Sequence, residues 1–192
     1  MSATKRMPDT ILCIDINATC WERPLEQPPG QKNEIIEIGY VPLSIIKLTI
    51  GEPKTIIIRP KTSKVSQFCT RITGITQEEV DIGISFKDAC QKLIKENDSL
   101  KFPYVSYGLY DKKHLEYQCA DTKTVYPFSK GMHWNFRDMF ARMMGLEHDV
   151  SLAIAVKMLG LEFDGVYHRS QFDALNTARV MVECFKRLRG DA

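Results

Sequence analysis

Strand-like apolar runs are concentrated in the first 60 residues and constrain the fold more than any other feature of this chain. Residues 11–16 form a short apolar run, and residues 34–43 and 54–59 form two further Ile-rich runs. A Gly-Glu-Pro turn signal at residues 51–53 separates the last two. Short apolar runs bounded by turn residues predict β-strands. Three such strands with short connections predict an antiparallel meander.

Later residues carry mainly helical patterns. A capping-box sequence at residues 76–79 and an apolar face over residues 85–96 predict two helices. One further strand is predicted at residues 104–107. Other predicted helices cover about 112–119, 135–144, 151–159 and 170–188. Strands that come early and helices that come late predict an α/β fold, in which helices pack on the faces of a sheet.

Length, charge and cysteine spacing limit the classes of protein to which this chain can belong. The 192 residues fit one domain, predicted over residues 10–189 after a flexible terminus at residues 1–9. A net charge of +2 gives no strong field for a polyanion. None of the six cysteines is paired at two-residue spacing, which argues against a zinc knuckle and favours a reducing, cytoplasmic location. No apolar run approaches the roughly 20 residues that would span a membrane.

Three dispersed acids and one histidine are the candidate chemistry. Asp15 ends the first apolar run, Asp111 follows the strand at residues 104–107, and Asp173 comes five residues after His168. Carboxylates of this kind suit a pair of hard cations that activates water against a phosphodiester. A histidine can accept a proton near neutral pH. The pattern therefore predicts a metal-dependent nuclease site.

Each residue alone also has a structural interpretation. Asp15 could simply end a strand, and Asp111 could cap a helix or lie in its first turn. Asp173 completes a sequence close to a capping box, although an acid in a first turn can also face a metal. His168 alone would usually be a surface residue.

In this order and within their local sequences, these residues resemble the DEDDh branch of the DnaQ-like 3′–5′ exonucleases. The resemblance is strongest to the enhanced-RNA-interference and histone-mRNA exonuclease group, and it covers roughly residues 11–186. The motifs that carry it are residues 15–20 (Asp-Ile-Asn-Ala-Thr-Cys), 33–39, 68–69, 72–76 and 110–111, and His168 with Asp173, Ala174 and Asn176.

This resemblance implies a ribonuclease-H-like fold, a mixed five-stranded sheet flanked by helices. It implies two Mg²⁺ ions, for which Mn²⁺ can substitute, held by four acids. Asp15, Asp111 and Asp173 match three of those ligands, and His168 matches the general base. The implied reaction releases nucleoside 5′-monophosphates from single-stranded RNA or short oligonucleotides. Within that group RNA is favoured over DNA.

The resemblance also implies a pocket for the terminal nucleotide. Ala18 and Thr19 would offer backbone groups to its ribose. Ile75 would wedge against the last base, and Tyr110 would stack on it. Plain core packing is the alternative for Ile75 and Tyr110.

Asn17 departs from the family motif, which has a glutamate two residues after the first aspartate. Alternation along a strand puts Asp15 and Asn17 on one face, so both could reach one metal. An amide oxygen brings no negative charge, although Asn17 remains a weakened metal and substrate ligand. Asn17 could be a natural variant with reduced or Mn²⁺-dependent activity, an engineered trap, or the mark of a non-catalytic binding relative. Glu22, Glu34 and Glu37 could in principle substitute for the missing acid.

Overall fold

The computed structural model describes residues 9–129 and 131–190, which are built around one mixed β-sheet. The sheet has six strands where five were expected, and one of the six has only two residues. They are β1 (Thr10–Ala18), β2 (Ile35–Ser44), β3 (Thr49–Ile50), β4 (Lys54–Ile57), β5 (Tyr104–Ser106) and β6 (His133–Asn135). β2 pairs antiparallel with β1, β3 and β4, which confirms the predicted meander, while β5 lies parallel to β1 and β6 parallel to β5.

All six predicted helices are present. Two local predictions were incomplete: Ser66 caps an additional helix by accepting a hydrogen bond from Cys69 N, and β6 occupies the start of the helix expected at residues 135–144. The helices are α1 (Gln67–Thr73), α2 (Gln77–Asp81), α3 (Phe86–Asn97), α4 (Tyr110–Thr122), α5 (Phe136–Met143), α6 (Leu152–Met158) and α7 (Ser170–Arg189).

Side-chain alternation along β1 divides the core between the two faces of the sheet. Leu12, Ile14 and Ile16 pack with α3 and α4 on one face. Ile11 and Cys13 pack with α5, α6 and α7 on the other. The same alternation assigns Asp15 to the second face, so β1 presents this acid towards the helix that carries Asp173.

Gly39 allows the start of α7 to lie very close to the sheet. A Cβ atom at Gly39 would lie 2.0 Å from the carbonyl carbon of Ser170 and 2.1 Å from the backbone nitrogen of Gln171. Gly39 is also the partner of Asp15 in the β1–β2 pairing. The first turn of α7 therefore packs directly against the strand pair that carries Asp15.

The chain is held in place from Asp9 onward. Asp9 accepts hydrogen bonds from the Ser44 hydroxyl and, at 2.8 Å, from Ile46 N. The other residues of the predicted flexible terminus, 1–8, lie outside the described residues. No described helix has the length and apolar character needed to cross a bilayer.

Candidate active site

Asp15 lies near the end of β1, partly buried on the face that α7 covers. Burial raises the pKa of Asp15 well above its ordinary value, and the negative charges of Asp111 and Asp173 raise it further. A hydrogen bond with Ser170 acts in the opposite direction. The three acids therefore lie within electrostatic range of one another.

Asp111 is buried in the first turn of α4. Its carboxylate accepts a hydrogen bond of 3.0 Å from Ile16 N, which ties α4 to the end of β1. Burial raises the pKa of Asp111 to about 6, although this hydrogen bond acts to lower it. The carboxylate is therefore held beside Asp15 rather than used as a helix cap.

Asp173 lies in the first turn of α7, but the helix starts without a side-chain cap. Burial, followed by the charge of Glu37, raises the pKa of Asp173 to about 7, and a hydrogen bond from the backbone of His168 lowers it. The capping-box interpretation of Asp173 does not describe this helix start. The negative charges of Glu37 and Asp111 act on this carboxylate instead.

The three acids converge without forming a finished metal site. Across residues 9–129 and 131–190, no three His, Cys, Asp or Glu side chains are already grouped as ligands of one ion. Carboxylate oxygens are nevertheless the donors that hard divalent cations prefer. A cation among these acids would offset the burial and repulsion that raise their pKa values. The donor chemistry therefore fits a divalent metal, although its ligand shell is not preformed.

His168 occupies the loop directly before α7, and its side chain is exposed. Its backbone adopts a φ of 60°, a left-handed conformation that is uncommon for a residue other than glycine. The loop carries His168 and α7 carries Asp173, so the structure brings the histidine and the acid together at one helix start.

Asn17 is held by three acceptors around its amide nitrogen. Nδ2 donates to Glu37 Oε2 at 2.9 Å, to the backbone oxygen of His168 at 2.7 Å and to Ser170 Oγ at 3.0 Å. A carbonyl oxygen can only accept, so these contacts fix which end of the amide faces His168. Only Oδ1 is left to face a cation.

Glu37 and Arg169 form a buried network that sequence reasoning missed. Glu37 on β2 is fully buried and lies 3.0 Å from Arg169 Nη2, which in turn lies 2.8 Å from Glu79 Oε1 on α2. Glu37 also accepts hydrogen bonds from Ser170 N and Thr55 Oγ1. These partners are up to 133 residues away in sequence, so no local pattern pointed to them.

The other two acids considered as substitutes for a ligand have separate roles. Glu34 accepts hydrogen bonds from the backbone nitrogens of residues 61–63. Glu22 is exposed and lies 3.4 Å from Arg71 Nη2. Glu37 alone of the three contacts Asn17, and its charge is already balanced by Arg169.

The residues expected to hold a terminal nucleotide differ in exposure. Tyr110 is 56% exposed, and its ring stacks on His114 with 5.3 Å between centroids. Ile75 is fully buried among Ile36, Cys69 and Val80, which agrees with the alternative of core packing.

Ala18 and Thr19 are buried, and the groups of Thr19 are used internally. The backbone nitrogen of Thr19 donates to Glu34 O at 2.8 Å, and its backbone oxygen accepts from Asn33 Nδ2 at 2.7 Å. The nitrogen is therefore not available to a sugar without a change in the loop, whereas the carbonyl oxygen keeps a second lone pair.

One cleft of about 450 Å³ is lined by three of the four catalytic candidates, and we call it the site cleft. Asp15, His168 and Asp173 line part of it. A cavity of about 880 Å³ is larger, but the described residues that line it include none of these three. The site cleft is also lined by Tyr107, Arg137, Phe163 and Tyr167.

Comparison with known proteins identifies the family. The exonuclease profile RNase T matches residues 12–181. Human 3′-5′ exoribonuclease 1 is 33% identical over 185 residues, which cover 91% of this chain and 52% of the relative. The rat protein of the same name is 31% identical over 183 residues, with the same coverage. The chain thus spans about half the length of the curated relatives it matches.

Solved structures agree in fold. The rAMP-bound nuclease domain of 3′hExo, a DEDDh family member, superposes with a TM-score of 0.80 at 30% identity, covering 96% of this chain and 93% of that one. A 3′-exonuclease solved with a histone mRNA stem-loop gives 0.82 at 30% identity, covering 93% and 64%. These matches confirm the ribonuclease-H-like fold expected from the motifs. Because the family profile matches the chain from β1 into α7, this protein belongs to the RNase T family of exonucleases.

Proposed function

We propose that this chain is a metal-dependent 3′–5′ exonuclease that releases nucleoside 5′-monophosphates from single-stranded RNA or short oligonucleotides. The observation that carries the proposal is the convergence of Asp15, Asp111 and Asp173, from three separate elements, beside the exposed His168. Buried acids that repel one another are costly unless they serve a cation or a proton. The exonuclease family profile supports this class of reaction.

Asp15, Asp111 and Asp173 are the proposed metal ligands, and Oδ1 of Asn17 is a weaker fourth. We propose two Mg²⁺ ions, for which Mn²⁺ can substitute. When bound, such ions lower the pKa of the attacking water and stabilise the leaving oxygen. The carboxylates orient these ions, and burial of Asp111 limits competition from bulk water.

His168 is the proposed general base that takes the proton of the attacking water. Its exposed side chain lines the same cleft as Asp15 and Asp173. A hydrogen bond holds its backbone, since Asn17 Nδ2 donates to its carbonyl oxygen, and the His168 backbone also lowers the pKa of Asp173. A fixed backbone reduces the number of orientations that the imidazole can adopt.

The terminal nucleotide is proposed to stack on Tyr110, whose ring is supported from behind by His114. Such a base–aromatic contact is worth about 1–3 kcal/mol. Ile75 is left out of this proposed pocket because its side chain is core, and Ala18 and Thr19 contribute its wall rather than free backbone donors.

RNA is proposed as the substrate in preference to DNA. Support comes from relatives that are named exoribonucleases and from the structural relative solved with a histone mRNA stem-loop. We also propose a cytoplasmic location. Support comes from the cysteines of the described residues, which form no disulfide.

A second candidate is a nucleic-acid-binding relative with little or no turnover. Asn17 favours it, because an amide at this position adds no charge to the metal site. A 5′-labelled single-stranded RNA distinguishes the two candidates when it is incubated with the protein in EDTA, in Mg²⁺ and in Mn²⁺. Metal-dependent shortening from the 3′ end, with nucleoside 5′-monophosphates as products, supports the enzyme. Intact RNA that is retained by the protein supports the binding relative, and Asp173→Asn is the matched inactive control.

A further inference from the structure

The site cleft continues beyond the residues that the proposed chemistry uses. Asp15, His168 and Asp173 line one part of it, and Tyr107, Arg137, Phe163 and Tyr167 line the rest. Tyr110, proposed for the terminal base, is not among the lining residues of this cleft. The two aromatic surfaces are therefore separate, and Asp15 and Asp173 line the same cleft as the second surface.

Phe163 and Tyr167 provide an aromatic surface next to His168. Their rings stack with centroids 3.9 Å apart and an interplanar angle of 24°. Tyr167 nevertheless remains 45% exposed, so part of its ring is accessible. The loop is closely folded, since a Cβ atom at Gly165 would lie 2.2 Å from the Phe172 ring. A planar, sequence-tolerant contact surface therefore lies one residue before the proposed base.

Arg137 provides a cation in the same cleft. It lies in the first turn of α5, and its side chain is 40% exposed. Nε lies 2.9 Å from Asp149 Oδ2, and Nη2 donates to Asp149 Oδ1 at 3.0 Å. Nη1 makes no hydrogen bond to any residue that the structure describes, and Nε, although close to Asp149, makes none either. A guanidinium in a fixed orientation with free donors suits a phosphate oxygen.

We propose that Arg137, Phe163 and Tyr167, named here the upstream subsite, bind the nucleotide on the 5′ side of the scissile bond. Tyr167 stacks on its base, and Arg137 donates to its phosphate. The inference rests on the proposed exonuclease function, because the acids must hold the scissile phosphate. A strand whose last base lies on Tyr110 and whose last phosphodiester lies at Asp15 and Asp173 continues into the site cleft.

Tyr167→Ala tests the stacking contact. The variant is expected to raise KM for a tetranucleotide about tenfold. It should leave Ki for AMP unchanged, because AMP occupies only the terminal position. Val166→Ala, in the same loop but outside the cleft, is the matched control and should change neither constant. An equal change in both constants, or no change in either, would overturn the upstream subsite.

The salt dependence of KM distinguishes a phosphate contact of Arg137 from a purely structural role. Arg137→Ala should reduce the slope of log KM against log salt concentration by about 0.7, the value for one phosphate contact on a single strand. Arg142→Ala, an exposed arginine on the same helix, should leave the slope unchanged. Asp149→Asn removes a negative charge beside the proposed phosphate position and should lower KM for the tetranucleotide about threefold. A higher KM for that variant would contradict the proposed contact.

Different results would reject the proposed exonuclease function and the upstream subsite. If wild-type protein does not shorten RNA, the exonuclease function is rejected, while the Kd for the tetranucleotide still reports on the subsite. In that case an unchanged Kd in Tyr167→Ala rejects the subsite as well. If the wild-type protein shortens RNA but Tyr167→Ala and Arg137→Ala both leave KM for the tetranucleotide unchanged, only the upstream subsite is rejected.

Discussion

The side chain of Asn17 is hydrogen-bonded to the backbone of His168, with 2.7 Å between Nδ2 and the carbonyl oxygen. That carbonyl belongs to a residue with a φ of 60°, which surrounding contacts must hold in place. The same amide reaches Glu37 and Ser170. Asn17 thus stabilises the loop of the proposed base from the position where the family motif has an acid.

Asn17→Glu is expected to raise Mg²⁺-dependent activity at least tenfold, because it restores a charged ligand. It also puts a carboxylate beside Glu37 and removes the donor to His168. The metal-free protein should therefore melt at a lower temperature, and Mg²⁺ should raise its Tm more than it raises that of the wild type. Thermal scans in EDTA and Mg²⁺, together with RNA cleavage rates, measure both effects.

Asn17→Asp separates the gain in activity from the loss of stability in the metal-free protein. It keeps the shape of the side chain and adds charge, but it lacks the extra reach of glutamate and the donor to His168. We expect a lower metal-free Tm with a smaller gain in rate than Asn17→Glu gives. If neither variant gains activity, the metal site is built differently from the family pattern.

His168→Ala should keep the Mg²⁺-induced rise in Tm and lose at least 100-fold in cleavage rate at neutral pH, the lower end of the range for a missing general base. The side chain is exposed, so little packing is lost. His148→Ala, an exposed histidine on the α5–α6 connection, serves as the control. A pH–rate profile that is the same in His168→Ala and in the wild type would remove His168 from this role.

The stability of the metal-free protein should fall as the pH rises from about 4 to about 7. Burial raises the pKa of Asp111 to about 6 and that of Asp173 to about 7, from an ordinary 3.8. The folded protein therefore keeps protons that the unfolded chain has already released, which favours the folded state at the acidic end of this range. Tm measured in EDTA should be higher at pH 5 than at pH 8.

Two comparisons check this pH dependence. Asp173→Asn should flatten the EDTA curve, because the substituted amide does not titrate. Saturating Mg²⁺ should weaken the decline, since bound cations favour the ionised carboxylates. A flat curve for the wild type in EDTA would show that these acids are not coupled to folding.

Arg169→Gln should destabilise the fold by roughly 3 kcal/mol, because it leaves Glu37 charged and without its partner in a buried position. Urea unfolding measures the loss. Adding Glu37→Gln to this variant should recover part of it, since the unpaired charge is then gone. Lys32→Gln breaks an exposed ion pair with Asp121 and should cost less than about 1 kcal/mol. Equal costs for Arg169→Gln and Lys32→Gln would contradict the interpretation.

Local sequence patterns were sufficient to predict the elements that show a run or regular spacing of apolar residues, or a helix-capping sequence. The short apolar run at residues 11–16 predicted β1, and the capping-box sequence predicted α2, where Thr76 accepts a hydrogen bond from Glu79 N. The motifs that contain Asp15, Asp111 and Asp173 predicted that the three carboxylates lie close to one another. Asp15 lies near the end of β1, and Asp111 and Asp173 lie in the first turns of α4 and α7, so the three acids come from element ends that meet in the fold. Their metal-binding role stays a prediction.

The missed features depend on long-range contacts or on very short elements. β6 has three residues, too few to show a period, and α1 has seven. The Glu37–Arg169 pair and the Asn17–His168 hydrogen bond join residues more than 130 positions apart. Arg137 and Tyr167 carry no motif, and only the folded chain brings them to the cleft of the acids.

Gly39 shows that an absent side chain can matter as much as a catalytic one. Its backbone touches the first turn of α7, so this position acts as a fixed spacer between the strand of Asp15 and the helix of Asp173. Even a single methyl group there would wedge the helix outward and separate the two carboxylates. The separation of the two carboxylates therefore depends on steric room at a buried strand position.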